Sequence, residues 1–342
     1  MSPRVLVSIV TYNSGPYLDA CVQSLKAQTF PDFVVSVWDN ASDDESVELI
    51  AQHADFFLAT HFSNKNVGFC AAHNRVLASL TTDYVLVLNP DVVLDPRFIE
   101  TLVQALDQDL TAGSASGKLW RLNSRGSDGR SGQLPNPGEL ILDSTGIYFT
   151  PNQRHFDRGS GERDVGQYET REYVFGTSGA AAFYRRSMLE EIRAGGEYFD
   201  EAFFAYREDA DLAWRAQWLG WRCLYVPEAR GFHARRVLPE RRASLPGAIN
   251  MHSFKNRFLM RVKNMDAGTY CRFFIPITLR DLMALLYVFG REWTSLPGIT
   301  LFFRALPRAW GIRRALRRHR RVAPADLRSW FSRKPVARPV SQ

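Results

Sequence analysis

A chain of 342 residues holds two domains or one large α/β domain with an appendage, and either buries enough apolar surface for an enzyme. The formal net charge of +7 is uneven: twelve Arg or Lys residues face the single acid Asp326 between Arg304 and Arg338, which gives the C-terminal segment, not the whole molecule, a charged partner. Cys21, Cys70, Cys223 and Cys271 stand far apart with no C-x-x-C pair, which speaks against a zinc site and for free thiols in a reducing cytosol.

Val5 to Val10 reads as a short central strand, too brief for a signal peptide and followed at once by polar residues. Pro16 suits the first turn of a helix with Leu18, Cys21, Val22 and Leu25 on one face. Phe33 to Trp38 reads as a second strand, and Ser42-Asp-Asp-Glu45 has capping-box spacing for a helix running to about His53. A third strand is expected over Asp55 to Thr60, a turn at Asn66-Val-Gly68, a helix over Ala71 to Leu80, and a fourth strand over Tyr84 to Leu88. This alternation predicts a parallel sheet covered on both faces.

From Arg121 to Glu139 the apolar period is lost and a long loop is expected. Structure resumes with a strand at Tyr173 to Phe175, a helix from Arg186, a helix from Glu208 to Leu219 closed by Gly220, and a strand from Arg222 to Val226. Asn250 to Lys263 reads as helical, and the aromatic and basic C-terminal region follows. The apolar run Leu282 to Gly290 falls short of the roughly 20 residues of a spanning helix, so no membrane span is expected.

Chemistry concentrates at strand ends. Asn89-Pro90-Asp91 puts a carboxylate directly beyond an apolar strand, where open α/β sheets bind ligands. Glu208 and Asp209 fall at a helix start, which favours the ionised carboxylate and is also where acidic residues commonly cap. His233, flanked by turn residues, reads by itself as an ordinary surface or core histidine. Trp214 and Trp218, four apart, read as core.

Eight stretches give these positions a common meaning: Ser8-Ile-Val-Thr-Tyr-Asn13, Val37-Trp-Asp-Asn40, Asn66-Val-Gly-Phe69, Leu88-Asn-Pro-Asp91, Gly176-Thr-Ser-Gly-Ala180, Phe199-Asp-Glu201, Tyr206-Arg-Glu-Asp-Ala-Asp-Leu-Ala-Trp214 and Gly231-Phe-His233. In this order they resemble bacterial family 2 glycosyltransferases of the GT-A fold, and more narrowly the rhamnosyltransferase-like branch. The resemblance implies a mostly parallel Rossmann-like sheet with helices on both faces over residues 1–250. Residues 1–120 would bind the nucleotide sugar, 121–250 would bind the acceptor and catalyse, and 251–342 would be a helical, basic, membrane-associating extension.

By the same resemblance Thr11, Tyr12, Asn13, Asp39, Asn66, Gly68, Asn89 and Asp91 bind the donor. Asp39 would accept the imide N–H of a uracil or thymine base, a match for an acceptor-only carboxylate. Asp91 and His233 would hold Mg²⁺ or Mn²⁺, with Asn89 standing where the family's broader pattern has a first Asp. Asp209 would be the general base with Glu208 beside it, and Gly176, Thr177, Ser178 and Gly179 would approach the sugars. The activity implied is inverting, metal-dependent transfer of a sugar, L-rhamnose from a dTDP donor or another sugar from UDP, to a polyprenyl-diphosphate-linked glycan at the inner face of the cytoplasmic membrane in cell-envelope synthesis.

Arg304, Arg308, Arg313, Arg314, Arg317 and Arg318, interleaved with aromatic and aliphatic residues, read as an interfacial surface for anionic lipid. The alternatives are a nucleotidyltransferase, which would need a Gly-rich basic phosphate loop after the first strand, and a noncatalytic binder of nucleotide sugar or nucleic acid. No nucleic-acid-binding signature supports the last.

Overall fold

The computed structural model describes residues 2–122, 140–235 and 247–340. The expected loop at Arg121 to Glu139 lies, from residue 123 on, outside the described residues. The N-terminal half alternates as expected: β1 (Val5–Thr11), α1 (Gly15–Lys26), β2 (Phe33–Asp39), α2 (Ser46–Gln52), β3 (Ala59–Phe62), α3 (Phe69–Ser79), β4 (Tyr84–Leu88), β5 (Val92–Leu94), α4 (Phe98–Gln108) and β6 (Ala112–Arg121). Leu18, Cys21, Val22 and Leu25 of α1 are fully buried against the sheet, each aliphatic side chain contributing about 1.5–3 kcal/mol.

Two local expectations are corrected. Asp55 lies in a single 3₁₀ turn, Ala54–Phe56, and the strand begins only at Ala59. The Ser42–Glu45 capping box does not form: Ser42 is drawn back to Asp39, donating its backbone N–H at 2.9 Å, while α2 starts at Ser46, whose N–H is taken by Asp44 at 3.0 Å. A carboxylate two residues upstream outcompetes the box because it meets the N–H without a further turn of chain.

The second half adds β7 (Leu142–Ser144), β8 (Ile147–Phe149), β9 (His155–Asp157), β10 (Glu172–Val174), β11 (Ala181–Arg185), α5 (Arg186–Glu191), α6 (Glu208–Trp218) and β12 (Arg222–His233). Among the described residues the main sheet has eleven strands, with β10, β12, β6, β11, β4, β1, β2 and β3 as consecutive neighbours, β5 on β12 and β7 on β6. Strands β4, β1, β2 and β3 are mutually parallel. The sheet is mixed, because β11 runs antiparallel between β4 and β6. That reversal matters for function: it returns the start of β11 to the C-terminal end of β4, with Ala181 opposite Leu88.

The C-terminal region forms α7 (Gly247–Asn264), α8 (Ala267–Arg272), α9 (Phe274–Arg291), α10 (Pro297–His319), α11 (Pro324–Arg328) and β13 (Arg338–Pro339). Asp211 on α6 fastens α7 by accepting from Lys263 and from Asn264, each at 2.8 Å. Arg308 pairs with Asp200 at 3.2 Å, Arg313 donates to the Val262 carbonyl at 2.6 Å, and Leu327, Trp330 and Phe331 are buried in the main core. β13 then pairs antiparallel with β10 at the sheet edge. The basic segment is thus folded back onto the domain over much of its length.

Candidate active site

β4 is buried along its whole length, and Pro90, lacking an N–H, ends its pairing. The Asn89 N–H is satisfied by the Ala180 carbonyl at 2.8 Å. The chain then turns into β5, whose pairing sets Val92 opposite His233. This register brings Asp91 and His233 together, with His233 Nε2 3.3 Å from Asp91 Oδ1. The other ring nitrogen, Nδ1, donates to Asp143 Oδ2 at 2.7 Å, fixing the imidazole's orientation. Burial alone would lower the His233 pKa, but its hydrogen bonds to Asp143 and Asp91 outweigh that and push it up to about 9.

Among the described residues no three His, Cys, Asp or Glu side chains form a ready-made metal cage. An oxygen from Asp91 and a nitrogen from His233, braced by Asp143, fit a divalent cation that completes its shell with diphosphate oxygens. The side-chain amide of Asn89 is half-buried and has no hydrogen-bond partner among the described residues.

Asp209 is tied to the same turn through the loop that ends at Ala180. The Gly179 N–H donates to Asp209 Oδ2 at 3.1 Å and the Ala210 N–H to Oδ1 at 2.7 Å. Gly179 precedes Ala180, the residue that receives the Asn89 N–H, so the carboxylate and the strand-end turn are joined through one short loop. Burial pushes the Glu208 carboxyl upward, reinforced by the Asp209 charge, and Glu208 Oε2 has no hydrogen-bond partner. Burial raises Asp209 as well, against the lowering effect of the Gly179 N–H. A neutral Glu208 beside an ionised Asp209 satisfies both environments.

At the C-terminal ends of β1 and β2, Asp39 is buried: Oδ1 accepts from Thr11 at 2.7 Å and from Ser42 Oγ at 2.5 Å. Tyr12 is exposed, while Asn13, at φ 51°, accepts the Asp43 N–H at 3.0 Å. Asn66 accepts the Gly68 N–H at 2.8 Å in a local turn. The close approach permitted by Gly68, at φ 87°, is to Phe204: a Cβ there would lie 2.6 Å from that ring. Gly176 is likewise pressed against α6, its virtual Cβ 2.4 Å from Ala213; Thr177 is buried and Ser178 half-buried. The Gly176–Gly179 segment therefore sets the position of Asp209 whatever else it touches.

The structure also gathers residues to which no sequence motif pointed. Asp143, besides bonding His233, accepts from Arg235 Nη1 at 2.9 Å, and Arg235 pairs with Asp157 at 2.7 Å. The Asp157 charge in turn acts on Asp209. A chain of contacts thus runs from Asp91 through His233, Asp143 and Arg235 to Asp157. Arg235 two places after His233 was the one accessible hint; Asp143 and Asp157 sit in short irregular strands with no period to reveal them.

This sheet, with a carboxylate beyond β4 and helices on both faces, is the GT-A fold of nucleotide-diphospho-sugar transferases. The chain superposes on Staphylococcus aureus TarS 1-349 with a TM-score of 0.54 and 14% identity, over 92% of this chain and 83% of that one. It superposes on GalNAc-T7, solved with UDP, GalNAc and Mn²⁺, with a TM-score of 0.60 and 13% identity, over 96% of this chain and 58% of that one. Residues 6–193 match the family described as Glycosyl transferase family 2, and the chain belongs to that family. An N-acetylglucosaminyl-diphospho-decaprenol L-rhamnosyltransferase of Mycobacterium tuberculosis is 30% identical over 244 residues, 68% of this chain and 76% of the relative.

Proposed function

We propose that the chain catalyses inverting transfer of L-rhamnose from dTDP-rhamnose to a saccharide carried on a polyprenyl diphosphate, acting at the inner face of the cytoplasmic membrane without spanning it. One observation carries the catalytic part: the hydrogen bonds from Gly179 to Asp209 and from Asn89 to Ala180 set a raised carboxylate beside the strand-end turn that bears Asp91. The sugar and the acceptor are supported by the rhamnosyltransferase relative. The membrane site is supported by the exposed apolar face of α9.

Asp91 and His233 would hold Mg²⁺ or Mn²⁺, which would offset the charge gathering on the departing diphosphate. Thr11, Tyr12, Asn13, Asp39, Asn66, Gly68 and Asn89 would line the donor's nucleotide side, and Gly176, Thr177, Ser178 and Gly179 the sugar side. Asp209 takes the proton of the acceptor hydroxyl as that oxygen bonds to the anomeric carbon, and the nucleoside diphosphate leaves from the opposite face with the bonding electron pair. Glu208, neutral, steadies the pair.

The test is a panel of dTDP- and UDP-sugars offered with Mg²⁺ or Mn²⁺ and a lipid-linked saccharide acceptor. Expected are release of dTDP from dTDP-rhamnose and a product of inverted anomeric configuration by NMR. A retained configuration would remove the single-displacement mechanism.

A further inference from the structure

Next to the catalytic residues lies a cavity of about 1050 Å³, walled by the β8–β9 hairpin, α7 and α9. Arg121, Arg154, Arg207, Arg235, Arg257 and Arg280 line it, and Asp157 is the one acid among its described lining residues. Asp143, outside the lining, pairs with Arg235 at 2.9 Å and with Arg121 at 3.8 Å. At half-buried His155, desolvation and then the charges of Arg207, Arg154, Arg235 and Arg257 hold the pKa well down. Arg280 makes no hydrogen bond or ion pair among the described residues, whereas Arg121 donates to Ser160 at 3.1 Å. The far wall is apolar, from Met283, Ala284, Tyr287 and Val288 of α9, and Met283 and Tyr287 continue onto the molecular surface.

We infer that this cavity binds the diphosphate of the acceptor, with the prenyl chain leaving across Met283 and Tyr287. The inference rests on the reading of a lipid-linked acceptor. Guanidinium forks match phosphate oxygens in pairs, and an apolar wall beside them suits a ligand whose charge ends where a hydrocarbon begins. The donor's diphosphate does not fit the same place, because Thr11, Asp39, Asn66 and Asp91 all lie outside the lining. Arg207, which directly precedes Glu208 and Asp209, puts the cavity on the acceptor side of the proposed base.

The probe is farnesyl diphosphate, titrated calorimetrically into the full chain with dTDP present, beside farnesol and inorganic pyrophosphate. Farnesyl diphosphate should bind tighter than either fragment, and Arg280→Gln, alone and with Arg257→Gln, should weaken it at least tenfold with an unchanged circular dichroism spectrum. Equal affinity in wild type and variants, or displacement of farnesyl diphosphate by dTDP, overturns the assignment. If the arginines instead serve membrane headgroups, the variants will lose flotation with phosphatidylglycerol vesicles while keeping farnesyl diphosphate affinity, which also overturns it. The underlying acceptor reading fails separately, by equal turnover on saccharides with and without a diphosphate. An unaltered KM for a farnesyl-diphosphate-linked saccharide in the double variant sinks the cavity assignment alone.

Discussion

Two adjacent carboxyls at the start of one helix cannot both be ionised cheaply when water is largely excluded, and the pair divides its roles through that cost. Asp209 has two N–H donors to stabilise its charge, whereas Glu208 is buried with one oxygen unpartnered. Replacing Asp209 with Asn should lower kcat by about 10²–10⁴-fold, the usual worth of a positioned base, with donor affinity largely kept. As the proposed base, Asp209 has to be ionised, and since burial raises its pKa, the rate should fall on the acid side at a pH above the ordinary aspartate value of about 3.9. Glu208→Gln copies the protonated acid and should keep most activity. The sign for stability follows: a carboxyl with a raised folded pKa contributes fully below its unfolded pKa and loses that contribution as pH rises through the folded one. The Tm advantage of Glu208→Gln should therefore grow from acid to alkaline pH, and a pH-independent difference would mean Glu208 is not held neutral. Asp143→Asn should weaken metal-dependent donor binding about 10–100-fold, as loss of a bracing carboxylate does; unchanged affinity by titration would place the cation away from His233.

At the scale of elements, α6, which carries Glu208 and Asp209, is only as well placed as its attachment to α7. Asp211 accepts from Arg215, Lys263 and Asn264, all buried. Asp211→Ala should cost about 3–5 kcal/mol, because it leaves buried cations short of a partner. Denaturant unfolding measures this, and a loss below about 1 kcal/mol would show the network to be dispensable. The helix itself was readable from sequence, as were β1, β2, β4 and α1, because each buries one continuous face and the period of apolar residues reports it. The strand-end acid at Asp91 and the Glu208–Asp209 pair were readable because topology fixes where strand ends and helix starts point. What escaped was set by pairing across long separations. β13 and the β8–β9 hairpin are two- or three-residue strands, too short for any period, and the antiparallel insertion of β11 leaves no mark in its own residues. Asp143 and Asp157 matter only because such strands carry them to His233 and Arg235.

Across the whole molecule the notable surface is on α9, and the arginine-rich end beyond it behaves differently from its composition. Among the described residues no helix is long and apolar enough to cross a membrane. Ile275, Leu279, Leu282, Leu286, Phe289 and Trp293 are nonetheless exposed, at spacings of four, three, four, three and four residues that align them on one side of α9 and the turn after it. Ile277, Ala284 and Val288 face inward. Arg291 flanks the exposed side, as a basic residue does on a helix lying in an anionic interface. By contrast Arg308 is engaged with Asp200, Arg313 with Val262 and Arg338 with the Trp330 ring, so the segment after Leu301 stabilises the domain. Truncation there would remove Leu327, Trp330 and Phe331 from the core and would report folding before it reported membrane contact. The clean variant is Leu286→Asp with Phe289→Asp, which puts two charges on the exposed face of α9. Flotation with phosphatidylglycerol vesicles should be lost while turnover on a short water-soluble acceptor stays as in the wild type. Retained flotation would move the membrane contact to the arginines of α10, because α9 would then have been shown to meet something other than lipid.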